Sequence, residues 1–305
     1  EYGWMATKDC HKIYAGAEKY TEHSVVITTW QSIYKEPRKW FDRFDVVIGD
    51  EAHLFKAKSL TSLMSKLHEC KYRVGFTGTL DGTETNQLVL EGLFGRCSQV
   101  TKTKDLMQRG QIADLKVKVL VLKHDYVSFE SYQDEIEYIV QNEKRNWFIK
   151  NLTRDLKGNT LVLFNYVEKH GEPLFELLNR SIDRPVYLVH GGVDTEDREE
   201  IRALTEESNE SIIVASYGTF STGINIKNLH NVIFASPSKS RVRNLQSIGR
   251  VLRKGANKSQ ATLYDIADDI SRNNFRNYTL NHLFERVKVY NEEKFDYEII
   301  DVKLR

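Results

Sequence analysis

Short apolar runs rich in β-branched residues recur along the chain, and stretches long enough to form a helix separate them. Buried parallel strands have this continuous apolar pattern, and each needs a helix-length crossover to reach the next strand. The pattern therefore predicts an α/β fold of parallel sheets covered by helices. The predicted strands are residues 25–28, 46–48 and 74–77 in a first set, and residues 117–122, 160–164, 186–189, 212–215, 232–234 and 262–264 in a second.

The two sets of strands indicate two α/β units, for which 305 residues leave enough room at about 100 to 200 residues per domain. Residues 98–116 cluster Thr, Lys, Gln and Gly without clear periodicity, so we expect the join there. We assign the domains to residues 1–112 and 113–305. A last predicted strand, at 297–302, closes the second sheet. Helical patterns of the second unit lie near residues 129–157, 167–180, 194–206 and 240–252.

The composition is that of a globular protein, with 40% hydrophobic and 29% charged residues, and it excludes a chain that is disordered throughout. No apolar run approaches the roughly 18 residues that cross a bilayer, so no membrane partner is expected. The three cysteines are widely spaced and are accompanied by no Cys-x-x-Cys or His-x-x-x-His pattern, which is typical of a protein from a reducing compartment. We therefore expect a cytoplasmic protein.

The overall charge gives no general affinity for polyanions, because 44 basic and 43 acidic residues leave a net charge of +1. A polyanionic partner must therefore meet a local basic patch. One basic run stands out between residues 238 and 258, which contain no acidic residue. Its members are Lys239, Arg241, Arg243, Arg250, Arg253, Lys254 and Lys258. Taken alone, such a run is most often a solvated surface.

The most specific pattern is an apolar strand that ends in two adjacent carboxylates, Asp50 and Glu51, followed by Ala52 and His53. Ligands of open α/β sheets bind at the carboxyl ends of strands. A carboxylate placed there can hold Mg²⁺, while its neighbour can orient and deprotonate the water that attacks a γ-phosphate. We assign the metal to Asp50 and the base to Glu51. An Asp-Glu pair is commonly only a charged turn, but four specified residues directly after an apolar strand are much rarer.

A second strand, one helix downstream, ends in Thr77, Gly78 and Thr79. In isolation this tripeptide is more often a turn than a site. The ends of neighbouring parallel strands lie side by side, however. His53 and these threonines could therefore share hydrogen bonds that report on the bound nucleotide.

Two blocks of the second unit also carry functional side chains. Residues 212–226 run from a strand into a loop rich in small and hydroxyl residues, which could present backbone N–H groups to phosphates. A plain loop of this composition is common. Residues 246–255 contain Arg250 and Arg253, which are three apart and are therefore predicted to share a helix face. Two guanidinium groups on one face can reach a γ-phosphate.

These four blocks, in this order, resemble motifs of the superfamily 2 helicases. The matching residues are 50–53 for the Walker B motif, 77–79 for the third motif, 219–226 for the fifth and 246–253 for the sixth. Residues 25–32 resemble the DNA-contacting block of the first RecA-like domain of the family, and residues 160–165 and 190–198 resemble the opening of the second. The resemblance covers nearly the whole chain.

The resemblance implies two RecA-like domains with parallel sheets covered by helices, the first one incomplete. It also implies ATP and Mg²⁺ as cofactors, bound between the two domains. The implied catalytic residues are Asp50, Glu51, His53, Gln246, Arg250 and Arg253, with Asp50 as the metal ligand. Those implied for ATP binding and coupling are Thr77, Gly78, Thr79, Gly223, Asn225 and Gly249. Those implied for DNA binding are Thr28, Thr29, Gln31, Asn165, Gly191, Thr219 and Thr222.

Within the superfamily, residues 215–224, 249–254 and 293–297 look most like phage recombination helicases. Such enzymes drive branch migration and fork regression and remove R-loops. The resemblance therefore implies branched DNA and junctions of single-stranded and duplex DNA as partners, with RNA–DNA hybrids as a further substrate. We expect a monomer that acts in the host cytoplasm.

One motif of the family is missing from the sequence. A Walker A loop, Gly-x-x-x-x-Gly-Lys-Ser/Thr or a variant, has to precede the Asp-Glu-Ala-His block, and none is found. Together with the absence of an initiator Met, this indicates the C-terminal part of a longer protein. We expect an incomplete ATP-hydrolysing core that is inactive without the upstream loop.

Two alternatives remain open. One is a DNA-binding or strand-annealing module that needs no ATP and uses the basic run for phosphates, although such a module has no need of the Asp-Glu-Ala-His block. The other is an RNA helicase or a restriction-enzyme motor with the same core. Salt dependence without nucleotide dependence would favour the first, and a comparison of forked DNA with RNA duplex would test the second.

Overall fold

The computed structural model describes residues 5–14, 16–78, 80, 84–223, 226–254, 258–272 and 276–304. Residues 6, 221–223 and 241–243 are described by their backbone only.

The chain divides into two compact units, Glu1–Ser98 and Gln99–Arg305. The division lies at the start of the predicted joining stretch and ahead of the boundary expected after residue 112. The helix Thr103–Gln108 explains this difference, because its Met107 is buried in the apolar core of the second unit. Residues that follow Ser98 are therefore held by the second unit.

The first unit contains two parallel pairs of short strands. Its strands are β1 (Cys10–Ile13), β2 (Val25–Thr28), β3 (Val46–Gly49) and β4 (Tyr72–Gly75). β1 pairs with β2, and β3 pairs with β4. Its helices are α1 (Ala6–Asp9), α2 (Trp30–Ile33), α3 (Arg38–Phe41), α4 (Lys58–Lys66) and α5 (Glu84–Phe94), with a 3-10 helix at Ala52–Lys56. Strand β4 ends before the predicted Thr77, and the sequence pattern did not predict β1.

Strands β3 and β4 are packed on one face and exposed on the other. On the packed face, a Cβ atom added to Gly75 would lie 2.9 Å from Ala52 Cβ, so no larger residue fits there without a shift. On the other face, Ile48 and Tyr72 are 66% and 65% exposed. Apolar surface of this kind is typical of a face that another segment or another protein covers.

The second unit is built around one sheet of seven parallel strands in the order β11-β5-β10-β9-β6-β8-β7. The strands are β5 (Asp114–Lys123), β6 (Thr160–Phe164), β7 (Val186–Val189), β8 (Ile212–Ser216), β9 (Asn231–Phe234), β10 (Gln260–Asp269) and β11 (Asp296–Lys303). All six strands predicted for this unit from their apolar runs are confirmed, and the last predicted strand is β11 at the sheet edge.

Helices connect these strands. They are α6 (Thr103–Gln108), α7 (Tyr132–Gln141), α8 (Glu143–Asp155), α9 (Glu172–Ser181), α10 (Thr195–Glu207), α11 (Tyr217–Gly223), α12 (Arg241–Val251) and α13 (Tyr278–Glu292), with a π-helical turn at Val167–Gly171. In the part of the chain that the structure describes, no helix combines the length and the apolar character needed to cross a membrane.

The sheet of the second unit separates two apolar cores, because side chains alternate between its faces. Every residue of β6 is buried. Leu161 and Leu163 belong to one core, while Val162 and Phe164 belong to the other. Coverage of both faces explains why β6 is a continuous apolar run rather than an alternating one.

Two arginine–aspartate pairs are buried in the same unit. Arg145 Nε donates a hydrogen bond to Asp268 Oδ1 at 2.8 Å, and Arg286 Nε donates one to Asp265 Oδ2 at 2.9 Å. The Tyr290 hydroxyl donates to the same Asp265 oxygen at 2.8 Å. Removal of one partner from such a pair leaves an uncompensated buried charge, so each pair constrains the packing of α8 or α13 against the sheet.

A further buried charge, Glu135 of α7, holds the first turn of α13. Its carboxylate accepts hydrogen bonds from the backbone N–H groups of Tyr278 and Thr279, at 2.8 and 2.7 Å. The side chains of Asn277 and Thr279 donate to it as well, at 2.9 and 2.7 Å. Because the first N–H groups of a helix have no partner within the helix, Glu135 both satisfies these donors and fixes the start of α13 against α7.

Replacement of Glu135 by alanine leaves these donors buried without an acceptor. We expect Glu135→Ala to lower the free energy of unfolding of the second unit by about 2 to 4 kcal/mol. Glu137→Ala, which removes a half-exposed carboxylate paired with Lys169, is the matched control and should change it by less than about 1 kcal/mol. Chemical denaturation followed by circular dichroism measures both, and equal effects would contradict the role of Glu135.

Candidate nucleotide and nucleic-acid site

Strand β3 delivers Asp50 and Glu51 to its carboxyl end, where the chain leaves the sheet in a tight turn. Asp50 Oδ1 accepts a hydrogen bond from the Glu51 N–H group at 2.9 Å. Glu51 has a left-handed backbone, with φ 49° and ψ 47°. This conformation costs a residue with a side chain about 1 to 2 kcal/mol, and such strain clusters at functional sites. Both residues are exposed to solvent.

His53 connects the ends of β3 and β4. Its Nδ1 atom lies 2.9 Å from Thr77 Oγ1 and 3.2 Å from Glu51 Oε2, and its side chain is only 11% exposed. The backbone joins the same segments, since the Ala52 N–H group donates to Phe76 O at 2.8 Å. The structure therefore brings Glu51, His53 and Thr77 together, in the arrangement expected from neighbouring parallel strands.

The structure describes only some of the residues predicted to couple ATP hydrolysis to DNA. Gly78 has open space where a side chain would be, and so does Gly249. Gly223 is the last residue of α11 and is described by its backbone only. Thr79 and Asn225 lie outside the described residues.

The DNA-contacting residues predicted in the first unit surround the end of β2. Thr28 is the last residue of this strand, and Thr29 immediately precedes helix α2, in which Gln31 is the second residue. Thr29 Oγ1 lies 3.0 Å from Ser32 Oγ. Thr29 and Gln31 are exposed, so both side chains are accessible to a ligand.

The segment after β8 is a helix and not the predicted loop. Tyr217 and Phe220 are three apart and fully buried, so they anchor one face of α11. Ser216 Oγ accepts a hydrogen bond from the Thr219 N–H group at 3.3 Å and donates one to Thr219 Oγ1 at 2.9 Å. Burial of the two aromatic rings outweighs the loop-like composition of the segment. Thr219 is consequently only 8% exposed, and Thr222 is described by its backbone only.

Arg250 and Arg253 do not share a helix face, because α12 ends at Val251. Arg250 lies in the last turn and is half-buried, as is Gln246, whereas Arg253 follows the helix and is exposed. Lys258 accounts for this ending. Its ammonium group donates hydrogen bonds to Val251 O and, at 3.2 Å, to Arg253 O, and so satisfies carbonyl groups that a longer helix would have used.

Lys258 also joins two functional segments. It donates a third hydrogen bond to Lys227 O at 3.2 Å, which ties the end of α12 to the chain that follows α11. The side chain is buried, and this burial lowers the pKa of Lys258 to about 8. In the sequence Lys258 is only one member of a basic run. Its acceptors are backbone carbonyls from separate segments, so no local pattern reveals this role.

Asn165 directly follows β6 and is held by the segment after β9. Its N–H group donates to Ser236 Oγ, and its side-chain amide donates to Pro237 O, both at 3.1 Å. Ser236 Oγ in turn lies 2.9 Å from His170 Nδ1. Burial, together with the charge of Arg145, lowers the pKa of His170 to about 3. A neutral imidazole is therefore part of the support of Asn165.

The DNA-contacting residues predicted in the second unit lie at one edge of its sheet. Asn165 follows β6, Gly191 follows β7 and Thr219 follows β8, and these three strands are neighbours. Gly191 is exposed, and its carbonyl accepts a hydrogen bond from Arg198 Nη2 at 3.2 Å. The structure thus collects these residues at the carboxyl edge, where ligands of parallel sheets bind.

A metal ion bound by the first unit would need further ligands from the phosphates of a nucleotide and from water. Within the described ranges, no group of three or more His, Cys, Asp or Glu side chains is arranged to hold a metal ion. Asp50 and Glu51 nevertheless fit Mg²⁺, which proteins usually hold through one or two carboxylates together with water and substrate phosphates.

Comparison with known proteins identifies the family. The model of the helicase conserved C-terminal domain matches residues 143–255, and that of the type III restriction enzyme res subunit matches residues 4–82. The ATP-dependent DNA helicase UvsW of Enterobacteria phage T4 is 38% identical over 96% of this chain. The chain belongs to the superfamily 2 helicases. It spans 62% of the length of T4 UvsW, and therefore less than two thirds of that helicase.

Solved structures agree with this family. The crystal structure of T4 UvsW matches with a TM-score of 0.55 at 35% identity and covers 99% of this chain and 63% of that chain. The DNA-bound type ISP restriction-modification enzyme LlaBIII matches with a TM-score of 0.65 at 18% identity, over 92% of this chain and 23% of its own. S. cerevisiae Dbp5, bound to RNA and ADP BeF3, matches with a TM-score of 0.58 at 12% identity, over 97% of this chain and 70% of its own. The last two share the fold alone, and together the three confirm the predicted RecA-like α/β helicase fold.

Backbone strain at Glu51 can be measured by glycine substitution and compared with the same substitution at Lys294. Among the described residues, Glu51 and Lys294 are the non-glycine residues with left-handed backbones, with φ of 49° and 57°. Glycine adopts this conformation without strain, so Glu51→Gly and Lys294→Gly should each raise the free energy of unfolding by up to about 1 kcal/mol. Urea denaturation tests this, and destabilisation by Glu51→Gly alone would contradict strain at the site.

His170 should make the second unit sensitive to acid. Its pKa is about 3 in the folded protein and near 6.5 when exposed, so the unfolded chain binds more protons between these pH values. Stability is therefore lost as the pH falls from about 6.5 towards 3. We expect the urea midpoint of His170→Gln to fall less steeply than that of the unchanged protein between about pH 6 and 4. Parallel pH profiles of the two proteins would contradict a buried neutral His170.

Proposed function

We propose that the chain is part of an ATP-driven DNA helicase or translocase. It would contribute the second RecA-like domain and the part of the first that couples ATP hydrolysis to DNA. The observation that carries this proposal is the contact of His53 with both Thr77 and Glu51, at 2.9 and 3.2 Å. The contact joins the carboxylate after one strand to the hydroxyl after the next, so a change at the γ-phosphate can pass between strands. A pure binding module has no need of such a link.

In the proposed reaction, Asp50 holds Mg²⁺ and Glu51 accepts the proton of the attacking water. Mg²⁺ held by Asp50 would supply the positive charge that neutralises the charge developing on the transferred group. Arg250 and Arg253 add positive charge at the γ-phosphate, and Gln246 lies on the same helix as Arg250. The exposure of Arg253 beyond the helix end supports this role, because its guanidinium is accessible to a ligand.

The phosphate-binding loop of this reaction is proposed to lie outside these 305 residues, because the sequence contains no Walker A pattern. Three of the six residues predicted for ATP binding and coupling, Thr77, Gly78 and Gly249, have described surroundings, in which this role can be tested. We therefore expect the chain by itself to bind DNA and to hydrolyse no ATP.

The proposed substrate is branched DNA or a junction of single-stranded and duplex DNA, with RNA–DNA hybrids as a further substrate. The identity to a phage protein that is named a DNA helicase supports this choice. Asn165 and Gly191 would contact the strand at the edge of the second sheet, and Thr28, Thr29 and Gln31 in the first unit. The proposed setting is phage recombination and repair in the host cytoplasm, with the protein acting as a monomer.

DNA-stimulated ATP hydrolysis tests this proposal. The 305-residue chain is compared with the same chain extended by its upstream reading frame, each with and without Glu51→Gln. We expect only the extended protein to hydrolyse ATP, and Glu51→Gln to lower its kcat by at least about 100-fold while DNA binding persists. Glu69→Gln, at another exposed glutamate of the first unit, is the control and should leave kcat unchanged.

Each contrary result has a specific meaning. Hydrolysis by the 305-residue chain would show that a segment within it binds the phosphates. Normal turnover by Glu51→Gln in the extended protein would remove Glu51 from its role. DNA binding that depends on salt but never on nucleotide, in an extended protein without hydrolysis, would favour an ATP-independent annealing module.

A further inference from the structure

Two exposed tyrosines lie at the same sheet edge as Asn165. Tyr132 begins α7, which follows β5, and Tyr278 begins α13, which follows β10. Tyr132 and Tyr278 are 39% and 44% exposed, and their ring centroids are 6.2 Å apart in an edge-to-face arrangement. Burial, and then the proximity of Tyr166, raise the pKa of Tyr132. Glu137, in the helix that Tyr132 begins, pairs with Lys169 at 2.9 Å, four residues after Asn165, so the tyrosine pair adjoins this predicted DNA contact.

A third ring belongs to the same cluster. The ring of His282 lies 5.4 Å from that of Tyr132, measured between centroids. Burial, together with the charges of Arg286 and Lys239, lowers the pKa of His282, so the imidazole is neutral at physiological pH. Among the described residues its Nδ1 atom is buried without a hydrogen-bond partner. The cluster is therefore an aromatic surface with one unused polar atom.

Two exposed basic side chains lie near the three rings. Lys239 is exposed and close enough to act on His282, and exposed Arg276 stands 4.4 Å from the Phe284 ring centroid, two positions before Tyr278. Two acidic side chains of these helices are already engaged. They are Asp134, which accepts hydrogen bonds from Ser131, and Glu285, which pairs with Lys288 at 2.7 Å.

The positions of both tyrosines are fixed before any ligand arrives. Glu135 accepts the N–H group of Tyr278 at 2.8 Å, and it lies one helical turn after Tyr132 in α7. The side chain of Ser131 caps the same helix directly before Tyr132. Because the backbone at both tyrosines is held in place, a ligand has only their side chains left to order.

We propose that Tyr132 and Tyr278, adjoining His282, form a platform on which bases of a single nucleic-acid strand stack beside Asn165. This inference rests on the proposed function and names a further subsite of it. Every base presents a flat aromatic face, so stacking tolerates any sequence, while nearby Lys and Arg side chains attract the phosphates. The platform would hold a strand that has been separated from its partner.

Two oligonucleotide probes test the platform on the 305-residue chain. One is fluorescein-labelled oligo(dT), and the other is an abasic strand of the same length and charge, which has no bases to stack. Fluorescence anisotropy gives the Kd of both probes for the unchanged chain and for Tyr132→Ala, Tyr278→Ala and Tyr132→Phe. Trp147→Ala removes a different exposed aromatic side chain of the second unit and is the matched control.

We expect each alanine substitution to weaken oligo(dT) binding by about 5- to 100-fold and to leave binding of the abasic strand unchanged. Tyr132→Phe keeps a ring and should bind like the unchanged chain, as should Trp147→Ala. Equal weakening of both probes, or no weakening of either, would overturn the platform while leaving DNA binding by the chain intact. A chain that binds neither probe would contradict both the platform and the proposed function.

Discussion

In a parallel sheet all carboxyl ends lie at one edge, and the function proposed for this chain depends on that constraint. In the first unit it places the turn after β3 beside the end of β4, so that His53 reaches both Thr77 and Glu51. In the second unit it collects Asn165 and Gly191 from β6 and β7, the two strands that flank β8. Polar residues that follow different apolar strands are thereby brought to one edge of the sheet, although they are distant in the sequence.

Groups at such an edge are partly buried, so their hydrogen bonds must be satisfied from other segments. Three buried side chains do this in the second unit. Glu135 accepts the first N–H groups of α13, Lys258 donates to the last carbonyls of α12, and His170 supports Asn165 through Ser236. Of the three, only Lys258 had been linked to a ligand, as a member of the basic run that the annealing alternative uses for phosphates. All three hold in place segments that are expected to contact a ligand. The proposed chemistry therefore depends on buried residues that position these segments.

The sequence was sufficient to predict the seven strands of the second unit's sheet. Central strands such as β6 and β8 are apolar runs whose residues are nearly all buried, and predicted functional residues come after them, as Asn165 does after β6 and Thr219 after β8. Prediction failed where local signals conflict. Residues of α11 have the composition of a loop, yet burial of Tyr217 and Phe220 makes them helical, and α12 stops before Arg253 because Lys258 satisfies its last carbonyls. Such long-range partners leave no periodic signal in a single sequence.

The exposed face of β3 and β4 also affects how the protein behaves after synthesis. Ile48 and Tyr72 offer apolar surface of the kind that chaperones recognise on incompletely folded chains. In a cell that makes these 305 residues by themselves, chaperones, proteases and other copies of the chain would all be able to bind this exposed face. A segment or protein that covered the two strands would therefore raise the amount of protein that accumulates, in addition to any effect on its activity.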